Sequence, residues 1–181
     1  VYLADLAGRE RKLGPGGCPT WTRDGAALLV HRRDGLYRVR PDGTASLVDP
    51  VDRCGIEVAG GRIVLWDQTE TLTLVDRGRS SALVTSARCG FGPVDVDAAG
   101  RRIAYTVICE DRGNDAGGLW TMDLSTRRAT KVTDGRGRQF YGAAWSPDDG
   151  WLATTMIERR ADGTFRDAIW IASFRSRASM R

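Results

Sequence analysis

Apolar residues in this chain come in short runs cut at close intervals by glycine, aspartate and arginine. That is the pattern of β-strands joined by tight turns, and no window of eleven or more residues carries the period of an amphipathic helix. Five segments align as one kind of strand: Val1-Tyr2-Leu3-Ala4, Leu36-Tyr37-Arg38-Val39, Thr71-Leu72-Thr73-Leu74, Leu119-Trp120-Thr121-Met122 and Ile169-Trp170-Ile171-Ala172. Their second positions, residues 2, 37, 72, 120 and 170, are 35, 35, 48 and 50 residues apart. Spacing of this kind marks a structural repeat.

A second series lies between them, each member a strand, a glycine turn and a strand. It comprises Trp21 to Val30, Val58 to Leu65, Val96 to Tyr105 and Trp145 to Thr154. Asp24-Gly25, Gly60-Gly61 and Asp149-Gly150 supply residues that tolerate the positive φ a hairpin turn requires. A further turn and strand follow, as at Arg40 to Thr44 before Ala45 to Val48, and at Leu124 to Arg128 before Ala129 to Val132. Each repeat therefore predicts a four-stranded meander, with strands near 18–22, 26–31, 35–40 and 44–49, and the set recurring from about 55, 92 and 141. The predicted fold is all-β.

Trp21-Thr22-Arg23-Asp24-Gly25 and Trp145-Ser146-Pro147-Asp148-Asp149-Gly150, each followed by an apolar strand and then by a strand containing Tyr or Trp, resemble the repeat of TolB-like β-propellers, a WD40-like unit with a consensus close to Trp-Ser-Pro-Asp-Gly. The resemblance covers nearly the whole chain and implies antiparallel four-stranded blades, about four of them. Two departures stand out: the second repeat lacks both the Trp and the Pro-Asp, and the fourth reads as having one extra residue in its turn. The implied blades are about 16–49, 54–84, 89–133 and 139–174, with 1–13 as the last two strands of another blade and 175–181 as a basic tail. This single domain at 1–174 totals 17 strands, one more than four blades need. The count leaves open a closed four-bladed ring and a share of a larger propeller, and it favours the incomplete reading.

Composition narrows the partners. Of the 27 basic residues only Lys12 and Lys131 are lysines, and the arginines are interleaved with 23 acids for a net charge of +4. No basic stripe tracks a phosphate backbone, so nucleic acid is not expected as a partner. Apolar runs fall far short of the roughly 20 residues of a membrane helix, so a membrane anchor or leader is expected only outside these residues.

Cys18, Cys54 and Cys89 share one repeat position, just ahead of the innermost strand. Cys89 and Cys109 are symmetric about the Ala98-Ala99-Gly100 turn, which sets them opposite each other within disulfide range. Given propeller geometry, Cys18 and Cys54 would pair between neighbouring blades, where equivalent strands come closest. Two alternatives stand beside this: four reduced buried cysteines, and a zinc site, which lacks a Cys-x-x-Cys pair and has only His31 to add. Paired cysteines and TolB-like relatives point to an extracytoplasmic location: periplasmic, cell-surface or secreted.

Catalytic chemistry finds little support. A Ser-His-Asp triad would have to use His31, in the apolar strand Leu28-Leu29-Val30-His31, and no Gly-x-Ser-x-Gly is present. The acid pairs Glu110-Asp111 and Asp95-Val96-Asp97 are weak candidates for calcium ligation or acid-base work, the first in a polar loop with Arg112. Tyr37, Trp120, Trp145 and Trp170 recur at repeat positions and are expected in the blade core. No cofactor or metal is expected.

The expected function is a noncatalytic binding module, a sensor or scaffold. The alternative is a propeller domain supporting or gating a hydrolase elsewhere in a longer polypeptide, which the likeness to prolyl-oligopeptidase propellers implies. In such propellers the loops leading into each innermost strand open on the channel mouth. Arg53, Arg88 and Arg138 occupy these loops, beside the long connections Glu110 to Gly118 and Glu158 to Asp167. Grouped guanidinium groups there would favour a small anionic ligand or an acidic protein surface; the alternative is solvation, or pairing with Asp52, Asp111 and Asp115.

Overall fold

The computed structural model describes residues 1–67, 70–109, 117–134, 138–159 and 162–174. Among them the regular structure is all-β, apart from one 3₁₀ turn at Ala59–Gly61. Strands β1 (Tyr2–Ala4) and β2 (Glu10–Lys12) form a two-stranded sheet. The first blade follows as β3 (Gly17–Trp21), β4 (Leu28–Arg32), β5 (Gly35–Val39) and β6 (Ala45–Asp49), and the second as β7 (Cys54–Val58), β8 (Arg62–Trp66), β9 (Thr71–Asp76) and β10 (Arg79–Thr85). The third comprises β11 (Cys89–Phe91), β12 (Asp95–Val96), β13 (Arg102–Cys109), β14 (Gly118–Asp123) and β15 (Ala129–Asp134); the last comprises β16 (Arg138–Trp145), β17 (Trp151–Arg159) and β18 (Phe165–Ser173). All four sheets are antiparallel meanders in chain order, the blades of a β-propeller. The chain folds as two compact units, residues 1–66 with 73–82, and 67–72 with 83–181.

The hairpin joining the first two strands of a blade shows why the repeat has its residues. In the first blade Thr22 N–H donates to the Ala27 carbonyl at 2.8 Å, and Ala27 N–H donates to Thr22 Oγ1 at 3.0 Å. The Thr22 hydroxyl in turn donates to Asp24 Oδ1 at 2.6 Å. Ser146, Trp151 and Asp148 repeat the arrangement in the last blade, with Ser146 Oγ accepting from Trp151 N–H at 2.9 Å and donating to Asp148 at 2.6 Å. Hydroxyl and carboxylate together satisfy donors a turn leaves unpaired.

Strand register corrects one departure expected from the sequence. Trp21 pairs Leu28, Val96 pairs Ile103 and Trp145 pairs Leu152, so the three turns have the same length and the last carries no extra residue. Aligning on the glycine misleads because the left-handed position held by Gly25 (φ 67°) and Gly100 (φ 70°) is held by Asp149 (φ 55°). Aspartate is one of the few side chains that adopt this conformation readily.

In the first unit, β4 buries both of its faces. Leu29 and Leu36 pack with Ile63, Leu65 and Val75, while Leu28, Val30 and Val39 pack with Leu13 and receive Val1, Leu3 and Tyr37. The continuous apolar run Leu28-Leu29-Val30 follows from this two-sided burial. In the second unit, Ala104, Leu119 and Leu152 form a core with Val132, Ala143, Trp145, Trp170 and Phe174 packed against it.

Two expectations need correction. The first strand of the third blade, expected from about 92 as one strand, is split into β11 and β12 by Gly92-Pro93. A Cβ at Gly92 would run into Thr106 Oγ1, and Pro93 has no N–H to donate to a ladder. The repeat aromatics, expected in the core, are half-buried at Tyr37, Trp120, Trp145 and Trp170. Cations lie over three of the rings: Arg32 over Tyr37 at 4.7 Å, Arg102 over Trp145 at 4.8 Å and Lys131 over Trp120 at 5.5 Å.

Candidate functional site

Disulfides join Cys18 to Cys54 and Cys89 to Cys109. The second spans directly opposed residues of β11 and β13, with Cα atoms 4.2 Å apart, and both cysteines are buried. The first joins β3 to β7 across 5.7 Å between Cα atoms, and Cys18 is exposed. A bulge between Gly17 and Thr20 turns β3 out of register there, and Cys18 sits in the left-handed region at φ 47°. That conformation costs a side chain of this type of order 1 kcal/mol or more, so it persists only where surrounding contacts impose it. Pro19 follows, and Thr20 Oγ1 donates to the Gly55 carbonyl at 2.7 Å, fixing β3 against β7.

His31 lies beside this disulfide. Ligand atoms of Cys18, His31 and Cys54 all fall within 4.8 Å of one another. Register pairs His31 with Gly17, and Nδ1 lies 3.8 Å from the place of a Cβ on Gly17, the residue before Cys18. His31 Nε2 meets Asp52 Oδ1, two residues ahead of Cys54. His31 is partly open to solvent, its side chain 29% exposed against 64% for Asp52. The sequence offers His31 to a zinc site only as the one histidine available, with cysteines of three blades required to converge; the structure instead brings it to Cys18 and Cys54 of two blades. One signal was present: residues 18 and 31 are symmetric about Asp24-Gly25, just as 89 and 109 are about their own turn.

The arginines of the innermost-strand approaches occupy different settings. Arg53, in the first unit, is half-buried and donates from Nη1 to Thr73 Oγ1 at 3.0 Å. Arg88, in the second unit, is exposed ahead of β11, where Ser86 Oγ accepts from Cys89 N–H at 3.1 Å. Arg138 lies at the start of β16 and pairs with Glu158 across the sheet at 3.0 Å. The candidate residues Glu110, Asp111, Arg112 and Asp115 lie outside the described residues.

Asp95 and Asp97 serve the scaffold of the second unit. Asp95 Oδ2 accepts from Trp145 N–H at 2.6 Å, and burial pushes its carboxyl above the ordinary range. Burial also pushes Asp97 upward, yet hydrogen bonds from the Arg102 backbone and side chain and from Arg101 N–H outweigh it and hold the carboxyl below its ordinary value. Arg102 Nε meets Asp97 at 2.9 Å while its guanidinium lies over Trp145, so one arginine ties the hairpin of the third blade to the first strand of the last.

No family model matches the chain, and no curated protein does. Among solved structures, the Agrobacterium tumefaciens structure assigned as TolB is similar at 18% identity and a TM-score of 0.64, covering 93% of this chain and 66% of its own. Hydrazine synthase from Kuenenia stuttgartiensis is similar at 14% identity and 0.63, covering 87% and 50%. An oligogalacturonate lyase in complex with manganese is similar at 16% identity and 0.59, covering 93% and 58%. The chain thus spans between half and two thirds of these structures. At these identities the likeness shows the fold alone, a β-propeller, which the structure assigned as TolB shares with enzymes.

Proposed function

We propose that this propeller is a noncatalytic, extracytoplasmic binding module of the sensor or scaffold kind. It engages an acidic protein surface or a small anionic ligand through basic side chains at the innermost-strand approaches, Arg53, Arg88 and Arg138. The observation that carries the reading is the setting of the only histidine: any Ser-His-Asp or Cys-His machinery would need His31, and the two cysteines gathered beside it are joined to each other. Asp95 and Asp97, the other candidate acid pair within the described residues, are held by Trp145 N–H and by Arg101 and Arg102. The location rests on the two disulfides, which persist in oxidising compartments. Among the described residues no helix is long and apolar enough to cross a membrane.

A second reading, a propeller domain supporting a hydrolase elsewhere in a longer polypeptide, draws on the chain spanning only 50% and 66% of two similar structures. One experiment addresses both. The purified chain is titrated with citrate and inorganic phosphate by calorimetry, and assayed for ester, prolyl-peptide, lactone and oligogalacturonate turnover. The binding reading expects anion binding that weakens with salt and in the Arg53→Ala/Arg88→Ala double variant, circular dichroism confirming the fold, with no turnover. Turnover that disappears in His31→Gln would overturn it.

A further inference from the structure

We infer that reduction of the Cys18–Cys54 disulfide turns this cluster into a site for one thiophilic divalent cation, zinc being the best fit, with Cys18 Sγ, Cys54 Sγ and a His31 ring nitrogen as ligands and Asp52 orienting the imidazole. The inference stands apart from the proposed binding role. It rests on three side chains brought together by three strands: β3 carries Cys18, β4 carries His31 and β7 carries Cys54. Their ligand atoms lie within 4.8 Å of one another. Tetrahedral zinc, with Zn–S about 2.3 Å and Zn–N about 2.0 Å, holds its ligand atoms roughly 3.4–3.8 Å apart. A closing movement of about 1 Å therefore suffices for the nitrogen, while the sulfurs separate once their bond is broken.

Asp52 supplies the second observation. Its carboxylate meets His31 Nε2, so a neutral imidazole keeps its proton there and presents the lone pair of Nδ1, the nitrogen near Gly17 and hence on the side of the chain that leads to Cys18. A carboxylate fixing the tautomer of a ligating histidine is a common feature of metal sites. Two thiolates and an imidazole also suit zinc over magnesium or calcium, which prefer oxygen ligands. Three protein ligands leave the fourth position to water, in keeping with an exposed Cys18 and a partly exposed His31.

The redox step balances. A dithiol reductant gives up two electrons and two protons and leaves as its own disulfide, and the chain gains Cys18–SH and Cys54–SH. Zinc binding then releases both thiol protons. Disulfide and metal are mutually exclusive states of the same pair. The Cys89–Cys109 bond is sheltered, with Cys89 3% and Cys109 8% exposed, so the Cys18–Cys54 bond meets the reductant first.

The test uses the full chain, reduced with a water-soluble phosphine so that the reductant brings no thiols of its own, then dialysed against zinc alone or cobalt(II) alone. Expected are one zinc per reduced chain, none per oxidised chain, and the visible bands of tetrahedral thiolate-bound cobalt. His31→Gln, which leaves the disulfide and the blade intact, is expected to lower zinc affinity at least tenfold, and Asp52→Asn by about 10- to 100-fold. Circular dichroism of each reduced protein establishes that it remains folded. A folded, reduced chain that retains no zinc would overturn the inference, as would zinc affinity unchanged by His31→Gln.

Discussion

Cys18 and Cys89 hold the same repeat position, yet their surroundings differ in every chemical respect. Cys89 faces Cys109 at the far end of its own hairpin and is closed off from solvent. Cys18 stands at the open end of a hairpin whose second strand carries His31 opposite Gly17 and no cysteine, so its partner comes from the next blade, where Cys54 faces Trp66 across the hairpin. The second strand of the third blade supplies a cysteine and that of the first does not, so one disulfide lies within a sheet and the other joins two sheets. The same difference sets the histidine and Asp52 against an exposed disulfide. The repeat builds a common frame, and departures from the repeat carry the reactive chemistry.

Removing the disulfides is the harshest way to test this contrast. Loops of 36 and 20 residues predict losses of about 4 kcal/mol for Cys18→Ala/Cys54→Ala and about 3 kcal/mol for Cys89→Ala/Cys109→Ala on the chain-entropy view. Urea unfolding under non-reducing conditions measures both, and a loss below 1 kcal/mol for either would mean that bond does not constrain the chain.

The carboxylates show the same division. Asp97→Asn keeps one oxygen for the Arg101 and Arg102 N–H groups but removes the buried charge and sets an NH2 donor against Arg102 Nε in place of the accepting Oδ2, and is expected to cost about 1–3 kcal/mol. Asp52→Asn, at an exposed position, is expected to stay within about 0.5 kcal/mol. Equal losses in urea unfolding would erase the distinction.

Asp95 gives the smallest effect and a sign of its own. Because its folded-state pKa is raised, its ionised form weighs against folding at neutral pH, and that burden lifts as pH falls through the folded value, fully below the ordinary 3.8. Asp95→Asn keeps an acceptor for Trp145 N–H, so the variant is expected to be slightly more stable than the parent at pH 7 and indistinguishable from it at low pH. Stability curves against pH check the crossing, and a loss at pH 7 would show that the charge itself is needed.

Much of this frame was legible in the chain. Strand-turn-strand punctuation located the blades because glycine and aspartate at the turns have few other uses, and hairpin symmetry alone paired Cys89 with Cys109. The broken strand at 92–94 was missed because Phe91, Val94 and Val96 read as parts of one strand, whereas Gly92 and Pro93 interrupt the ladder. The equal length of the last turn was hidden by Asp149 standing where glycine stands elsewhere. The His31 cluster was hidden by the bulge at Gly17–Thr20: hairpin symmetry sets Cys18 opposite His31, but joining that pair to Cys54 and Asp52 requires two blades in place.

The division of the cysteines into a reachable pair and a sheltered pair is tested most directly by limited reduction of the folded chain, with differential alkylation read by peptide mass mapping. Cys18 and Cys54 are expected to take the first label together while Cys89 and Cys109 remain joined until the fold is lost. Labelling of Cys89 and Cys109 first, or of all four at one rate in the folded protein, would contradict it.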